Sequence, residues 1–141
     1  MTFEDARKTI EYMFTKSYWA TQEIAMYPDN YQGTISNKTE FLRLNIMPSN
    51  STSTFGGQKA VQGLVIISIY TKAGEGQKRV MEIADILDIL LENKTTSTTI
   101  AGTAITGPEF GTSYLAINGL DPANKALYSA QYTIPFQSYG E

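Results

Sequence analysis

The sequence predicts an α+β domain: a mostly antiparallel sheet with an N-terminal helix and one long helix packed on the sheet, residues 1–141 forming a single unit. Three stretches carry this expectation. Leu64 to Tyr70 reads LVIISIY, apolar on both faces and rich in β-branched side chains, the pattern of a central strand covered on both sides. Beyond Ala73-Gly74-Glu75-Gly76, apolar residues recur at Val80, Ile83, Ala84, Leu87, Leu90 and Leu91, a helical period that lays one stripe on the sheet. Near the chain end, Ala126, Tyr128, Ala130, Tyr132, Ile134 and Phe136 alternate with Ser129, Gln131, Thr133 and Gln137, so one strand face is apolar and the other polar but uncharged.

The remaining elements follow in order. Thr2 caps a first helix over 2–17, with Glu4 and Asp5 in the first turn and an apolar stripe of Phe3, Ala6, Ile10, Met13 and Phe14. Trp19, just beyond it, reads as a core plug. Gln22 to Tyr27 is a short strand stopped by Pro28-Asp29-Asn30. Glu40 to Met47 is a second strand, with Leu42, Leu44 and Ile46 on one face, and Pro48 ends it. Residues 49–58 read as a mobile polar loop with one aromatic, Phe55. Lys59 to Thr71 is the central strand, and the long helix spans 76–93. After a threonine-rich stretch, Gly107-Pro108 and Gly111 mark a turn, Tyr114 to Ile117 a short strand, and Asn118-Gly119 with Asp121-Pro122 another turn. Pro135 lacks an N–H, which places the last strand at an edge or ends it there.

Composition narrows the function. Hydrophobic residues make up 42% and charged residues 18%, so the chain is not disordered, and such a weakly charged surface points to partial cover by partners. The net charge of −3 gives no basic footprint for nucleic acid. There is no cysteine and no histidine, which removes thiolate chemistry, the commonest general base and the commonest zinc ligand. No apolar run approaches the ~20 residues that cross a bilayer, and the first residues lack a signal-peptide layout. A cytosol-like compartment is the expectation.

Few residues are arranged for chemistry. Gly74-Glu75-Gly76-Gln77-Lys78-Arg79 follows a strand and opens a helix, yet lacks the Walker spacing, and Glu75 would meet a phosphate with like charge. Glu82, Asp85, Asp88 and Glu92 read as the solvated face of the long helix. The serines Ser49, Ser51 and Ser53 have no histidine to activate them. Nine tyrosines, several near the end, suit core packing or a protein interface better than a nucleic-acid platform. No cofactor, metal or catalytic set is expected.

The ordered set of an N-terminal helix, EFLRLNI, a polar loop ending in GGQKAVQG, IISIYTKAGEGQ, RVMEIADILDILLEN and YTIPFQ resembles the small tail terminator (tail-completion) proteins of long-tailed bacteriophages. The resemblance spans nearly the whole chain, and residues 107–125 match no motif of that family. It implies a structural virion protein, not an enzyme: a homohexameric ring on the head-proximal end of the tail tube. Such a ring stops tube growth, meets the tail tube protein and the head-completion protein, and passes DNA through its lumen without reading it. The implied location is the virion tail, with assembly in the host cytoplasm and no membrane partner. The candidate interface residues are Phe55, Lys59, Gln131 and Tyr139. Two alternatives stay open, another head–tail connector or tube component, and a small-ligand-binding or enzymatic cellular domain.

Overall fold

The apolar, β-branched run at the middle of the chain forms the strand on which the rest is hung. A computed structural model describes residues 3–28, 40–53, 59–74, 77–93, 95–100, 102–120 and 127–140, with side chains left out at 49–53, 59, 95–100, 103–107 and 139–140. Strand β3 (Lys59–Lys72) pairs antiparallel with β2 (Phe41–Ser53) along one edge and with β7 (Leu127–Gly140) along the other. The seven-stranded sheet has the order β1-β2-β3-β7-β5-β4, and β6 also pairs with β7. The short β1 (Ala25–Pro28) runs parallel to β2, and every other pairing is antiparallel. Strands β4 (Thr95–Ile100) and β5 (Thr103–Phe110) form a hairpin, and β6 (Tyr114–Leu120) follows.

Cross-strand partners share a face, so register sorts the side chains. Val65, Ile67 and Ile69 lie opposite Ile134, Tyr132 and Ala130 on β7, and opposite Ile46, Leu44 and Leu42 on β2. The helices cover this face. Helix α1 (Phe3–Met13) buries Ala6, Ile10 and Met13, and α3 (Lys78–Leu91) buries Val80, Ile83, Ala84, Leu87, Leu90 and Leu91, all in one hydrophobic cluster with the strands. The short α2 (Ser17–Ala20) buries Trp19, whose ring meets Phe14 edge-on at 5.4 Å. The α+β class, the N-terminal helix, the long helix on the sheet and the plug role of Trp19 are as the sequence predicts.

Several boundaries differ, each for a local reason. The first helix ends at Met13, where Phe14 and Thr15 bond back in tight turns to Glu11 and Tyr12. The first strand starts at Ala25, because Glu23 takes a positive φ of 55°. The long helix runs 78–91. Strand β2 continues through Pro48 to Ser53, so residues 49–53 are strand and not loop, and the rest of the expected loop lies outside the described residues. The backbone accommodates Pro48 with a register shift between Pro48 and Asn50. Gly63 stands opposite, and a Cβ there would lie 2.3 Å from the Met47 carbonyl oxygen, so only glycine admits this approach.

Gly107-Pro108 is likewise no turn. It lies inside β5, at the register shift between Thr106 and Glu109. The threonine-rich stretch forms β4, and β6 runs on through Asn118-Gly119 with another shift.

The last strand is central. β7 lies between β3 and the pair β5 and β6, which share its second edge: β5 opposite 136–140 and β6 opposite 128–133. Pro135 falls at the break between them. Its carbonyl accepts from the Gly111 N–H at 3.0 Å, and a strand residue's N and C=O point to the same side. The missing N–H therefore faces the interruption at 111–113, where no ladder bond is lost. Gly111 is a necessary partner, since a Cβ on it would approach the Pro135 Cγ to 2.9 Å.

Candidate functional site

Strand β3 was expected to be covered on both sides; among the described residues its helix-side face is buried, while the opposite face is open around Leu64 and only partly covered at Ile66, Ser68 and Tyr70. Leu64, Ile66, Ser68 and Tyr70 point away from the helices, in register with Met47, Asn45, Arg43 and Phe41 on β2 and with Pro135, Thr133, Gln131 and Ser129 on β7. Tyr114 and Ala116 of β6 extend this face beside Thr133 and Gln131. It keeps large apolar side chains in solvent: Met47 is 48% exposed, Leu64 41% and Tyr114 69%. None of them joins the hydrophobic cluster.

One corner of the open face is consolidated by aromatic rings. Phe41 stacks on Tyr70 at 4.7 Å, and Tyr27 meets Phe41 edge-on at 6.2 Å. The Arg43 guanidinium lies 5.9 Å from the Phe41 ring centre, close enough for a cation–π contact. Phe41 is buried as a result, although it faces away from the core. Basic charge on this face comes from Arg43 and Lys72, and Glu109 stands at the other end opposite Gln137.

The candidate interface residues fall in separate places. Gln131 is half-buried in the middle of the open face, opposite Ser68 and Ala116. Lys59 and Tyr139 come together at one end of the sheet, where Lys59 pairs with Gly140 and Tyr139 with Ala60 and Thr106. Gln131 and Tyr139 are eight positions apart on one strand, roughly 27 Å at ~3.4 Å per residue. Phe55 lies outside the described residues. Sequence reasoning did not single out Met47, Leu64 or Tyr114. A signal existed for Leu64 in the two-sided apolar run, but that run does not say which face stays open.

A polar cluster stands on the helix side. The Tyr132 hydroxyl donates to Asp88 Oδ1 at 2.6 Å. The Ser113 hydroxyl lies 2.6 Å from the same oxygen and 2.7 Å from Glu92 Oε2, and the Ser113 N–H donates to Glu92 at 2.9 Å. Asp88 on α3 and Glu92 just past its end are thus bonded and partly buried, while Glu82 and Asp85 are exposed as the sequence predicts. The hydroxyl and amide of Ser113 hold the Glu92 carboxyl below its usual range. Burial, then the bond to Asp88, raises the Tyr132 phenol well above its usual value. The cluster joins the end of α3 to β7 and to the 111–113 break, with Asp88 Oδ1 and Glu92 Oε2 engaged by Ser113 and Tyr132. This is a clasp. Nothing in the sequence linked Ser113 to a helix more than twenty residues earlier.

At the other end of α3, Arg79 grips Glu40 through two bonds of 2.6 and 2.7 Å and reaches Glu82 at 3.2 Å. Those bonds raise the Arg79 pKa further. The partner of Glu82 is therefore Arg79. A groove of about 750 Å³ lies between the first helices and β1–β2, lined by Phe14, Trp19, Ile24, Met26, Leu44 and Ile46. The charged residues at its rim, Arg7 and Glu11, bond to each other at 2.6 Å. No group of three or more acidic, histidine or cysteine side chains is placed to hold a metal among the described residues. No described helix is long and apolar enough to cross a membrane.

No protein-family model and no curated protein matches the chain. Solved structures do match. One of them aligns over 100% of this chain and 96% of its own, with a TM-score of 0.57 and 14% identity. At that identity the likeness is one of fold. It extends the α+β architecture, over its full length, to a protein of very different sequence.

Proposed function

We propose that this protein is a structural virion component, a tail terminator that closes the head-proximal end of a phage tail tube as a ring of six. The observation that carries the reading is the open patch of the sheet face, which leaves Met47, Leu64 and Tyr114 exposed and Ile66 only partly covered. A face of that kind on a weakly charged protein fits a subunit that finds its remaining cover in an assembly. The whole-chain resemblance of the sequence to tail terminators supplies the identity of that assembly. The Asp88–Ser113–Glu92 cluster supports a structural over a catalytic role, because its bonds tie the end of α3 to β7 and to the 111–113 break. In this reading the partners are further copies, the tail tube protein and a head-completion protein, and DNA passes through the lumen unread.

The test is a phage lacking this gene. Full heads with abnormally long or unjoined tails are expected, and on tail tubes six copies of 15.6 kDa add roughly 94 kDa as a closed ring. Normal-length tails joined to heads would move the assignment to another virion component.

A further inference from the structure

We propose, resting on that ring reading, that the open sheet face of one copy takes the outer face of α3 from the next copy. The two surfaces differ from each other and complement each other. On the side of α3 turned from the sheet, Met81 and Ile89 are exposed, with Glu82 and Asp85 between them and Lys78 a turn earlier. Ile89, an aliphatic side chain, is 59% exposed in the single chain. The open sheet face offers apolar Met47, Leu64, Ile66 and Tyr114, with basic Arg43 and Lys72 toward one end. Apolar residues meet apolar residues, and the exposed acidic Asp85 meets the exposed basic Lys72.

The dimensions agree. α3 has 14 residues, about 21 Å at ~1.5 Å per residue. The run from Leu64 to Tyr70 is about 20 Å at ~3.3 Å per residue. The same helix already packs on the same strands from the other side, so a neighbour's α3 would complete a helix–sheet–helix sandwich around β3. That arrangement accounts for a central strand that is apolar on both faces. A contact between two unlike surfaces repeats head to tail, as closed rings require.

The chain has no cysteine, so introduced thiols are unique. Leu64→Cys and Ile89→Cys proteins, mixed at millimolar concentration with a short bis-maleimide, should give a mixed covalent dimer of about 31 kDa, twice 15.6 kDa. Neither variant alone should self-link appreciably. Leu64→Asp and Ile89→Asp should each be folded and unable to assemble. Mixed together they should form dimers and nothing larger, because only one intact junction can be made. Self-linking of Leu64→Cys alone would mean a symmetric sheet-to-sheet contact and would overturn the proposal, as would the absence of any mixed product. Either result leaves the terminator assignment to the gene-deletion phage, which tests it separately.

Discussion

Two faces of one strand show what the sequence was selected to do in the single chain and what it leaves for later. On β3, Val61, Val65, Ile67 and Ile69 are fully buried beneath α1 and α3, while Leu64 on the opposite face is 41% exposed and Ile66 half-covered. The residue types are nearly the same. What differs is the neighbour: on one side the register delivers Ile134, Tyr132 and α3, and on the other Pro135, Thr133 and solvent. Hydrophobicity alone therefore does not locate a core. It locates surfaces that must be covered by something, and here the chain itself supplies half of the cover.

The sharpest way to break the comparison is to put a charge on the covered side. Leu87→Asp places an unpaired carboxylate at a position of 0% exposure and is expected to unfold the domain. A native circular dichroism spectrum for that variant would mean that the helix face is misassigned. Gly63→Ala should cost about 1–3 kcal/mol in urea unfolding, because the new methyl meets backbone and not a side chain that can turn aside. A smaller loss, about 1–2 kcal/mol, is expected for Tyr132→Phe, which removes the bond to Asp88 while the ring stays packed. This variant also has a pH signature. The Tyr132 pKa is raised above its ordinary 10, so the protection is complete below pH 10 and is lost as pH rises beyond it. Wild type should lose stability above pH 10 more steeply than Tyr132→Phe. Glu92 works in the opposite sense. Its pKa is lowered from 4.5, so its contribution is present above that pH and lost as pH falls through the lowered value, and Glu92→Gln should flatten that acid limb.

The smallest effect on folding is expected on the open side. Leu64→Asp should shift unfolding by no more than about 0.5 kcal/mol, the usual range for an exposed site. A loss comparable to that of a core variant would show that the two faces are energetically alike.

Helical period and the β-branched run made α3 and β3 legible, and Trp19, Leu87 and the phase of β7 followed from the same patterns. The prolines misled. Pro48, Pro108 and Pro135 read as stops, yet all three lie inside strands, each at an irregularity: a register shift at Pro48, another across Pro108, and the gap between β5 and β6 at Pro135. A proline forbids a ladder bond only where a partner strand would have made one, and partners are set by tertiary pairing. The β4–β5 hairpin was hidden for a related reason, since its threonines carry no apolar alternation. Of the candidate interface residues, Gln131 lies on the open face, and the apolar side chains around it were not singled out because nothing local in the sequence distinguishes a face awaiting a partner from a face already covered.

The position of β7 also bears on how the protein is made. Every other strand precedes it in the sequence, yet it occupies the slot between β3 and the β5–β6 pair. A ribosome therefore releases LVIISIY long before the strand that will shield its second edge exists. During that interval the nascent chain presents an unpaired, aggregation-prone hydrophobic edge, and the sheet closes only when 127–140 has cleared the exit tunnel. Soluble yield should then depend on chaperone supply and on the speed of translation across the segment before Leu127. Synonymous codons that stall there would raise the insoluble fraction without altering a single residue of the finished protein.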